Sequence, residues 1–353
     1  MVERHFVHRT DHRTMTEQGS SAQDPSELTT TAIAQQTATG SSVTSSWSRG
    51  AYFYFQCAVV VIGIIGTAAN ALIIYALVAS KQYKKHLLII NQNALDLVSC
   101  VFLVITYTAK LCNVHLTGSS GFWFCATILS EAFVWWGILG SKIGLAAITI
   151  DRYLKIVHAA KSKKILRKGV IYSTMVFMWI VALVYSLAVN FNTTAVINGA
   201  CYAAVIWKSR AVKMAHGIWN FLSFYVVILS ITVFCYWRIL AAIRRHSNAI
   251  SNHGNPGPST ASVQSHTMQM NVIKTMIVVS AFFAITNFPV DFYFLLVNVG
   301  PDISLLEGGY YVTMFIMFLY SCTNPFIYAI KFDPVKTTLL GLVPCKKISV
   351  HAT

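Results

Sequence analysis

Four ionisable side chains stand isolated inside long apolar stretches of the chain. They are Asp96, Glu131, Lys142 and Asp291. An ionisable group in a membrane-spanning helix costs about 2.5–3.5 kcal/mol on insertion scales, so such groups face the protein interior and carry function. A carboxylate in that position can hold a cation or bind a basic group, whereas a lone ammonium needs a counter-charge or must be neutral. These residues therefore indicate ion binding, charge pairing or ligand recognition inside an apolar protein.

The elements that must position these groups follow from the composition. Of the 353 residues, 55% are hydrophobic and only 11% are charged, against about 25% charged residues in a typical soluble domain. This balance excludes a soluble enzyme, which needs a charged surface, and a disordered chain, which needs low hydrophobicity. A bilayer-spanning helix takes roughly 20 residues. Seven stretches are long enough, and the chain is predicted to be an all-α membrane protein, a seven-transmembrane helix bundle over 51–330 with helices at about 51–80, 87–111, 123–153, 169–191, 214–241, 270–299 and 308–330.

The orientation of the bundle follows from Lys and Arg, which accumulate in cytoplasmic connections. With the N-terminus outside, most of the 27 Lys and Arg residues lie inside and account for the net charge of +15. This basic face is expected to meet anionic membrane lipid, with no nucleic acid as partner. Residues 1–50 are rich in Ser, Thr and Gln and predict a disordered extracellular tail, and residues 344–353 predict a cytoplasmic tail.

A polar layer is predicted near the middle of the membrane. Counting 1.5 Å per helical residue from the inner ends gives similar depths for Asn70, Asp96, Ser141 and Asn324. Asp96 could hold a small cation such as Na⁺ there, with Ser141 and Asn324 as oxygen ligands. The alternative is a protonated Asp96 in a hydrogen-bonded packing layer. Lys142 lies at the same depth and is expected to pair with Asp96 or Asp291, or to be neutral.

An outward-facing pocket is predicted closer to the outer surface. Glu131, Trp135 and Lys142 share one face of the third stretch by their helical spacing. Asp291 follows Pro289, which is expected to kink the sixth helix. The candidate pocket with its aromatic walls comprises Tyr107, Glu131, Trp135, Phe288, Asp291 and Tyr311. Its carboxylates predict a ligand with a positive or hydrogen-bond-donating group; the alternative is that these groups are internal packing polarity.

Several short motifs occur on these stretches in a fixed order. They are GTAAN ending at Asn70, NALD ending at Asp96, DRY at Asp151, Arg152 and Tyr153, Tyr236 in the fifth stretch, Phe283 and Pro289 in the sixth, and NPFIY from Asn324 to Tyr328. Each string alone is weak, but together on seven stretches they are specific. From residue 52 to about 345 the chain resembles the rhodopsin-like (class A) G-protein-coupled receptors.

The resemblance implies how the inner face would work. Arg152 would pair with Asp151 at rest and be released towards Tyr236 and Tyr328 as the sixth helix swings outward, so that a helix of a heterotrimeric G protein can enter. The residues implied in coupling and activation are Asp151, Arg152, Tyr153, Tyr236, Asn324, Pro325 and Tyr328. An arginine held by one carboxylate agrees with this role, because it has two arrangements that a small repacking can exchange.

The resemblance also implies a disulfide between Cys125 and Cys201 at the outer face, with Cys112 as a competing thiol. Asn192 begins an Asn-Thr-Thr glycosylation sequon in the same outer loop. After NPFIY, apolar residues recur on one face of 331–343, which predicts a short amphipathic eighth helix on the membrane surface. Cys345 beside two lysines is a candidate for palmitoylation; the alternative is a plain thiol.

The chain departs from the family pattern at ligand and switch positions. Val134 stands where amine receptors carry an aspartate, and Phe318 stands where opsins carry the retinal lysine. Asn287 replaces the sixth-helix tryptophan, Lys142 replaces a small apolar residue, and the third helix is longer than usual. These features are most similar to those of invertebrate orphan receptors of the peptide type, with an altered activation switch.

The sequence therefore predicts a multi-pass receptor of the plasma membrane that binds an extracellular ligand, a peptide rather than an amine, and activates a heterotrimeric G protein. An enzyme is not expected, because the sequence contains no HExxH, GxSxG or Cys/His metal cluster. No metal site is expected, and Na⁺ at Asp96 is the one cofactor considered. The alternative is a transporter or channel, which would need a continuous polar path across the membrane.

Overall fold

The structure, a computed structural model, describes residues 46–83, 86–203, 207–252, 260–300, 307–331 and 333–342. Within these residues, seven helical segments are long and apolar enough to cross a membrane. Numbered in chain order, the spans are Gly50–Ala79, Leu87–Leu111, Gly118–Val157, Lys168–Thr193, Arg210–Arg245, Ile273–Val299 and Gly309–Ile330. The predicted seven-transmembrane helical fold is confirmed.

The helices themselves extend past several of these spans, and two of them are interrupted. The helices of the first, second, fourth, sixth and seventh spans are Ser46–Ala79, Leu87–Leu111, Lys168–Thr193, Thr260–Val299 and Glu307–Lys331. The third span consists of Gly118–Phe124, a π-helical turn Cys125–Leu129 and Ala132–Val157, and the fifth of Arg210–Phe221, a π-helical turn Leu222–Val226 and Val227–Asn252. Two short helices, Ala159–Ile165 and Asp333–Leu342, follow the third and seventh spans.

Several helix ends differ from the predicted ones. The first helix begins at Ser46, so the last residues of the predicted 1–50 tail are helical, and residues 1–45 lie outside the described part of the chain. The third span begins at Gly118, the fifth helix continues to Asn252 and the sixth begins at Thr260. Hydropathy marks only the part of a helix that lies in lipid, whereas internal hydrogen bonds let the helix continue through polar sequence into water.

The third span lies at the centre of the bundle. In its most apolar stretch of 18 residues 67% of the residues are buried, against 17% in the corresponding stretch of the fourth span. Close packing against the second span depends on a small residue, because a Cβ at Gly137 would lie 2.6 Å from Ser99 Cβ and 2.7 Å from the Leu95 carbonyl oxygen. Small residues at such contacts let two membrane helices approach closely.

The surface of the spans is apolar and the interior carries the polar groups. Phe177, Trp237 and Ile285 are more than half exposed, whereas Asn70 and Asp96 are fully buried. A soluble domain has the opposite arrangement, so this distribution fits a protein that is surrounded by lipid.

A β-hairpin covers part of the outer face. Strand β1 (Ala195–Ile197) pairs antiparallel with strand β2 (Ala200–Tyr202), and Val196 lies opposite Cys201. The turn is Asn198-Gly199, and both residues have positive φ angles, 52° and 77°. Asn-Gly is the favoured pair for a two-residue hairpin turn of this kind, so the sequence carried this signal although the hairpin was not predicted.

The short helix Asp333–Leu342 follows the seventh span where an amphipathic helix was predicted over 331–343. Val335 is buried, and Leu339 packs against the apolar cluster at the inner ends of the spans. Lys336 is exposed. The helix thus has one apolar and one polar side, as helices on a membrane surface have. Cys345 and the predicted tail 344–353 lie outside the described residues.

Candidate functional site

Two of the isolated ionisable residues meet inside the bundle. Lys142 Nζ in the third span donates to both carboxylate oxygens of Asp291 in the sixth span, at 2.8 Å from Oδ2 and 3.0 Å from Oδ1. The two side chains are only 1% and 2% exposed. From the sequence, Lys142 was expected to pair with Asp96 or Asp291, or to be neutral. The structure pairs Lys142 with Asp291.

This ion pair connects the third span to the sixth span beside a proline. Pro289 lies inside the sixth helix two residues before Asp291, and its nitrogen has no proton for the backbone hydrogen bond of that turn. Removing one partner of a buried ion pair typically costs about 3–5 kcal/mol, because the other charge stays buried. The pair therefore holds the sixth helix close to a point where one of its own backbone hydrogen bonds is missing.

Asp96 belongs to a separate polar layer that joins the first, second and seventh spans. Asn324 Nδ2 donates to Asp96 Oδ2 at 3.0 Å. Asn70 Nδ2 donates to the carbonyl oxygen of Ser321 at 3.0 Å. The structure thus brings Asp96 and Asn324 into direct contact. Asn70, in the first span, contacts the neighbouring turn of the seventh helix.

Gln92 links Ser141 to the same layer and was not predicted from the sequence. Its Nε2 donates to Ser141 Oγ at 2.7 Å and to the Tyr320 hydroxyl at 3.3 Å. Gln92 lies four residues before Asp96, which is one helical turn, so helical spacing around Asp96 was the signal that could have found it.

The oxygens of this layer match the needs of a small hard cation. Four buried side-chain oxygens of this layer have no hydrogen-bond partner within the described residues: Asn70 Oδ1, Gln92 Oε1, Asp96 Oδ1 and Asn324 Oδ1. Carboxylate and amide oxygens are the ligands that hard cations prefer. No group of three or more His, Cys, Asp or Glu side chains in the described chain could hold a metal ion, so an ion here would depend on neutral oxygens beside one carboxylate.

The third span is interrupted where Glu131 lies, although a continuous helix over 123–153 was predicted. The Ser130 nitrogen donates to the Cys125 carbonyl oxygen at 2.9 Å, which is the five-residue bond of a π-helix. Glu131 has a φ angle of 66° in the left-handed region, which costs of order 1–3 kcal/mol for a non-glycine residue. The second and fourth spans hold this conformation, since Thr106 Oγ1 donates to the Ile128 carbonyl oxygen and Ser186 Oγ to that of Ala132.

The Glu131 carboxylate already has two partners inside the protein. The Tyr107 hydroxyl donates to Glu131 Oε1 at 2.8 Å, and Lys110 Nζ donates to the same oxygen. Lys110 also lies over the Tyr107 ring, 4.5 Å from its centroid. The sequence did not predict this group, because the interruption changes which residues of the third span face the second.

A cavity of about 270 Å³ lies between the outer halves of the spans and beneath the second outer loop. Small-molecule sites typically measure roughly 300–1,000 Å³, so this one suits a single compact group. Its aromatic walls include Trp135, Tyr185 and Phe294, with Leu139 at the same face as Trp135. The Trp135 and Phe294 rings contact edge to face with centroids 5.6 Å apart.

The fifth span contributes a polar stripe to this cavity that was not predicted. Lys213, His216 and Asn220 follow one another at helical spacing and all line the cavity. His216 Nε2 lies 3.2 Å from the Tyr185 hydroxyl. Gly217 lets Asn298 of the sixth span approach this stripe closely, because a Cβ there would lie 2.4 Å from Asn298 Cβ.

The six residues predicted for the ligand pocket do not form one group. Glu131 and Trp135 line the cavity, whereas Tyr107 lies behind Glu131 and Asp291 faces Lys142. Phe288 is 45% exposed and stacks on Phe292. The Tyr311 ring packs against the Phe55 ring, with centroids 4.9 Å apart. Helical spacing gives the face of each residue along its own helix, but it does not give the rotation of one helix relative to the next.

At the inner end of the third span, Asp151 contacts two cations. Lys155 Nζ lies 2.8 Å from Asp151 Oδ2, whereas Arg152 Nε lies 3.7 Å from the same oxygen. Arg152 Nε is buried and has no hydrogen-bond partner in the described chain. Lys155 therefore competes with Arg152 for the carboxylate, and its position one helical turn after Asp151 was the sequence signal for this contact.

The inner tyrosines lie in the apolar cluster at the inner ends of the spans. Tyr236 and Tyr328 are buried there, and neither hydroxyl has a hydrogen-bond partner among the described residues. The Tyr153 hydroxyl pairs with His158 Nε2 at 3.1 Å. Pro325 lies inside the seventh helix, directly after Asn324 of the Asp96 layer.

The outer hairpin is attached to the third span by a disulfide between Cys125 and Cys201, whose Cα atoms are 5.5 Å apart. Cys112, the competing thiol, is free and exposed. Asn192 lies in the last turn of the fourth helix. Its side chain is exposed, and Nδ2 donates to the Ala188 carbonyl oxygen at 2.7 Å. The sequon thus begins on the helix, and its last residue, Thr194, follows the helix end.

Comparison with known proteins identifies a family over most of the chain. The family model "7 transmembrane receptor (rhodopsin family)" matches residues 69–328. The chain is 23% identical over 309 residues to melanopsin-A of Danio rerio, with 84% of this chain and 51% of that protein covered. It is 24% identical over 309 residues to C-C chemokine receptor type 8 of Mus musculus, with 83% and 80% covered. The chain thus spans about half the length of that melanopsin.

Among solved structures, the crystal structure of squid rhodopsin is similar to this chain, with a TM-score of 0.69. The similarity covers 84% of this chain and 86% of that one, at 18% sequence identity. At this identity the similarity concerns the fold, and it supports the arrangement of the seven spans independently of their hydropathy.

Proposed function

Because the chain belongs to the rhodopsin family of seven-transmembrane receptors, we propose that it binds an extracellular ligand and activates a heterotrimeric G protein. The resemblance inferred from its motifs is thereby confirmed. The protein is a multi-pass protein of the plasma membrane, and its family comprises receptors rather than enzymes.

The observation that carries the proposal is the weakly held arginine at the inner end of the third span. Arg152 lies 3.7 Å from the Asp151 carboxylate, which Lys155 contacts more closely. The hydroxyls of Tyr236 and Tyr328 are buried at the same end of the bundle without hydrogen-bond partners in the described chain, and the Arg152 charge acts on both. A cation with a weak partner and two unused hydroxyls close to it forms an element with two arrangements, which a ligand can shift.

The ion pair offers a route from the outer cavity to this element. Trp135 and Phe294 line the cavity and contact each other. Lys142 lies two helical turns after Trp135, and Asp291 lies one turn before Phe294, so a ligand that moves either ring acts close to the pair. We propose that this movement changes how the sixth helix is held at Pro289.

The ligand is proposed to be a peptide rather than an amine. Val134, at the position where amine receptors carry an aspartate, is fully buried in an apolar cluster. Phe318, at the retinal-lysine position of opsins, is buried in the same cluster, so it cannot form the covalent link that a lysine forms. A relative that is named as a chemokine receptor supports a peptide ligand.

Na⁺ is proposed as an ion of the Asp96 layer. The four unpaired oxygens of this layer support it. The placement of Lys142 against Asp291 also supports it, because Lys142 then does not neutralise Asp96.

The proposal is tested by nucleotide exchange on purified heterotrimers. Wild-type protein in lipid vesicles is mixed with a panel of G-protein subtypes, with and without pools of peptides and small molecules, and bound guanine nucleotide is followed over time. Arg152→Ala is expected to abolish the exchange that the wild type promotes. Arg167→Ala, which removes an exposed arginine from the same side of the membrane, is the matched control and is expected to retain most of it.

Exchange that is equal in Arg152→Ala and wild type would contradict the proposal, and so would the absence of exchange with every subtype and pool. Ion and solute flux is measured in the same vesicles. Flux without nucleotide exchange would support a transporter or channel instead.

A further inference from the structure

The outer cavity carries an uncompensated positive charge. The charged residues that line it are Lys110, Glu131 and Lys213. Lys110 and Glu131 contact each other directly, so their charges cancel within the protein. Lys213 makes no ion pair with any residue in the described part of the chain. One cation at the cavity therefore remains available to a ligand.

Most other polar groups of the cavity are already used. The hydroxyls of Ser130, Ser186 and Thr193 donate to backbone carbonyl oxygens at 2.7, 2.6 and 2.9 Å. Asn220 makes no side-chain hydrogen bond within the described residues, and it lies two helical turns after Lys213 on the same face, about 10 Å along the helix axis. His216 Nδ1, between these two residues on the stripe, also has no hydrogen-bond partner in the described residues. The fifth span therefore presents an ammonium, an imidazole nitrogen and an amide to the cavity.

The remaining walls suit an apolar group next to those donors. Trp135, Leu139 and Phe294, in the third and sixth spans, also line the cavity. A cavity of about 270 Å³ holds one compact ring or branched chain.

We propose that this cavity binds a carboxylate that is attached to an aromatic or other apolar group. Lys213 pairs with the carboxylate, Asn220 donates a further hydrogen bond, and the apolar group packs on Trp135 and Phe294. The inference rests on the proposed receptor function, because it names the ligand class of that receptor. It reverses the ligand charge expected from Glu131 and Asp291, since both of those carboxylates are paired inside the protein.

The carboxylate can be the C-terminus of a peptide or part of a free acid, and the chemistry at Lys213 is the same. The experiment therefore uses two matched pairs of probes on purified receptor in lipid nanodiscs. N-acetylphenylalanine is compared with its amide, and 3-phenylpropanoate with its amide, by saturation-transfer NMR. Binding is measured without G protein, so its outcome is separate from that of the exchange assay.

In wild type, at least one acid is expected to bind more tightly than its amide, by roughly tenfold or more if the carboxylate pairs with a charged donor. Lys213→Met is expected to abolish this preference and Lys213→Arg to restore it. Lys208→Met removes an exposed lysine from the loop that precedes the fifth span and is expected to keep it. A stronger response to N-acetylphenylalanine supports a peptide C-terminus, and a stronger response to 3-phenylpropanoate supports a free acid.

Three results would overturn the inference. They are the absence of any acid preference in wild type, a preference that survives in Lys213→Met, and an equal loss in Lys213→Met and Lys208→Met. If nucleotide exchange still depends on Arg152 in any of these cases, the receptor function stands and only the ligand class is wrong.

Discussion

At the residue scale, the ion pair between Lys142 and Asp291 is the contact whose removal should change stability most. Lys142→Met removes the ammonium and leaves a carboxylate in an apolar interior, which is expected to lower the free energy of unfolding by about 3–5 kcal/mol. Lys142→Met combined with Asp291→Leu removes both charges and is expected to recover most of this loss. Chemical unfolding of the detergent-purified protein measures the effect.

The control for this prediction is Lys155→Met, because Lys155 is 40% exposed and an exposed pair is worth at most about 1 kcal/mol. A double variant that is no more stable than Lys142→Met would show that the Asp291 charge is not what destabilises the single variant.

Lys155 is expected to set how tightly Arg152 is held. Lys155→Ala leaves the Asp151 carboxylate to Arg152 alone, so the arginine should spend less time released and basal nucleotide exchange should fall. Asp151→Asn weakens the hold on Arg152 and should raise basal exchange. Exchange without added ligand, measured on the same vesicles for both variants, checks the two directions, and a rise in both variants would refute the competition between Lys155 and Arg152.

The burial of a side chain could be predicted from the sequence better than the residue that it contacts. The burial of Lys142 and its need for a carboxylate follow from hydropathy and charge, but two carboxylates were available and only the rotation of the sixth helix selects Asp291. The pairing of Glu131 with Lys110 depends on the left-handed conformation at Glu131. No local pattern indicates that conformation, because neighbouring helices stabilise it.

At the element scale, the contact between the second and third spans depends on Gly137. A methyl group there would meet the backbone of Leu95 and Ser99 at 2.7 Å, and backbone cannot move aside as a flexible side chain can. Gly137→Ala is expected to cost about 1–3 kcal/mol in the free energy of unfolding. The melting temperature of the purified protein should fall accordingly.

Gly169→Ala is the matched control, since Gly169 also lies in a helix and a Cβ there would meet nothing within 4 Å. It is expected to be neutral or stabilising by up to about 1 kcal/mol, because alanine is the better helix former. Equal melting temperatures for the two variants would show that the second and third spans separate more easily than the contact at Gly137 implies.

The two π-helical turns explain why the positions of the spans along the chain could be predicted, whereas the interruptions within their helices could not. Cys125–Leu129 and Leu222–Val226 lie inside spans whose hydropathy is continuous, so an apolar pattern predicts one helix in each case. A longer third helix was visible in the sequence, but the place where the chain accommodates the extra length depends on contacts from Thr106 and Ser186. Each turn shifts the faces of the helix that follows it.

At the scale of the whole molecule, the third span connects every candidate site. Trp135 lines the outer cavity, Lys142 contacts the sixth span, Ser141 joins the Asp96 layer and Arg152 lies at the inner end. The number and order of the spans followed from the sequence, because lipid imposes a length and an apolar composition on each helix. The cavity could not be predicted in the same way, since six spans and a loop contribute its walls.

The most direct test of this receptor function measures the distance between the short helix Ala159–Ile165, which follows the third span, and the inner end of the sixth span. Spin labels are placed at Lys163→Cys and Lys274→Cys, both exposed positions, with Cys112 and Cys345 replaced by serine, and distances are measured by double electron–electron resonance. Nucleotide-free heterotrimeric G protein is expected to shift the distribution to longer distances in wild type and to leave it unchanged in Arg152→Ala. A distribution that no heterotrimer changes in wild type would contradict coupling through the sixth helix.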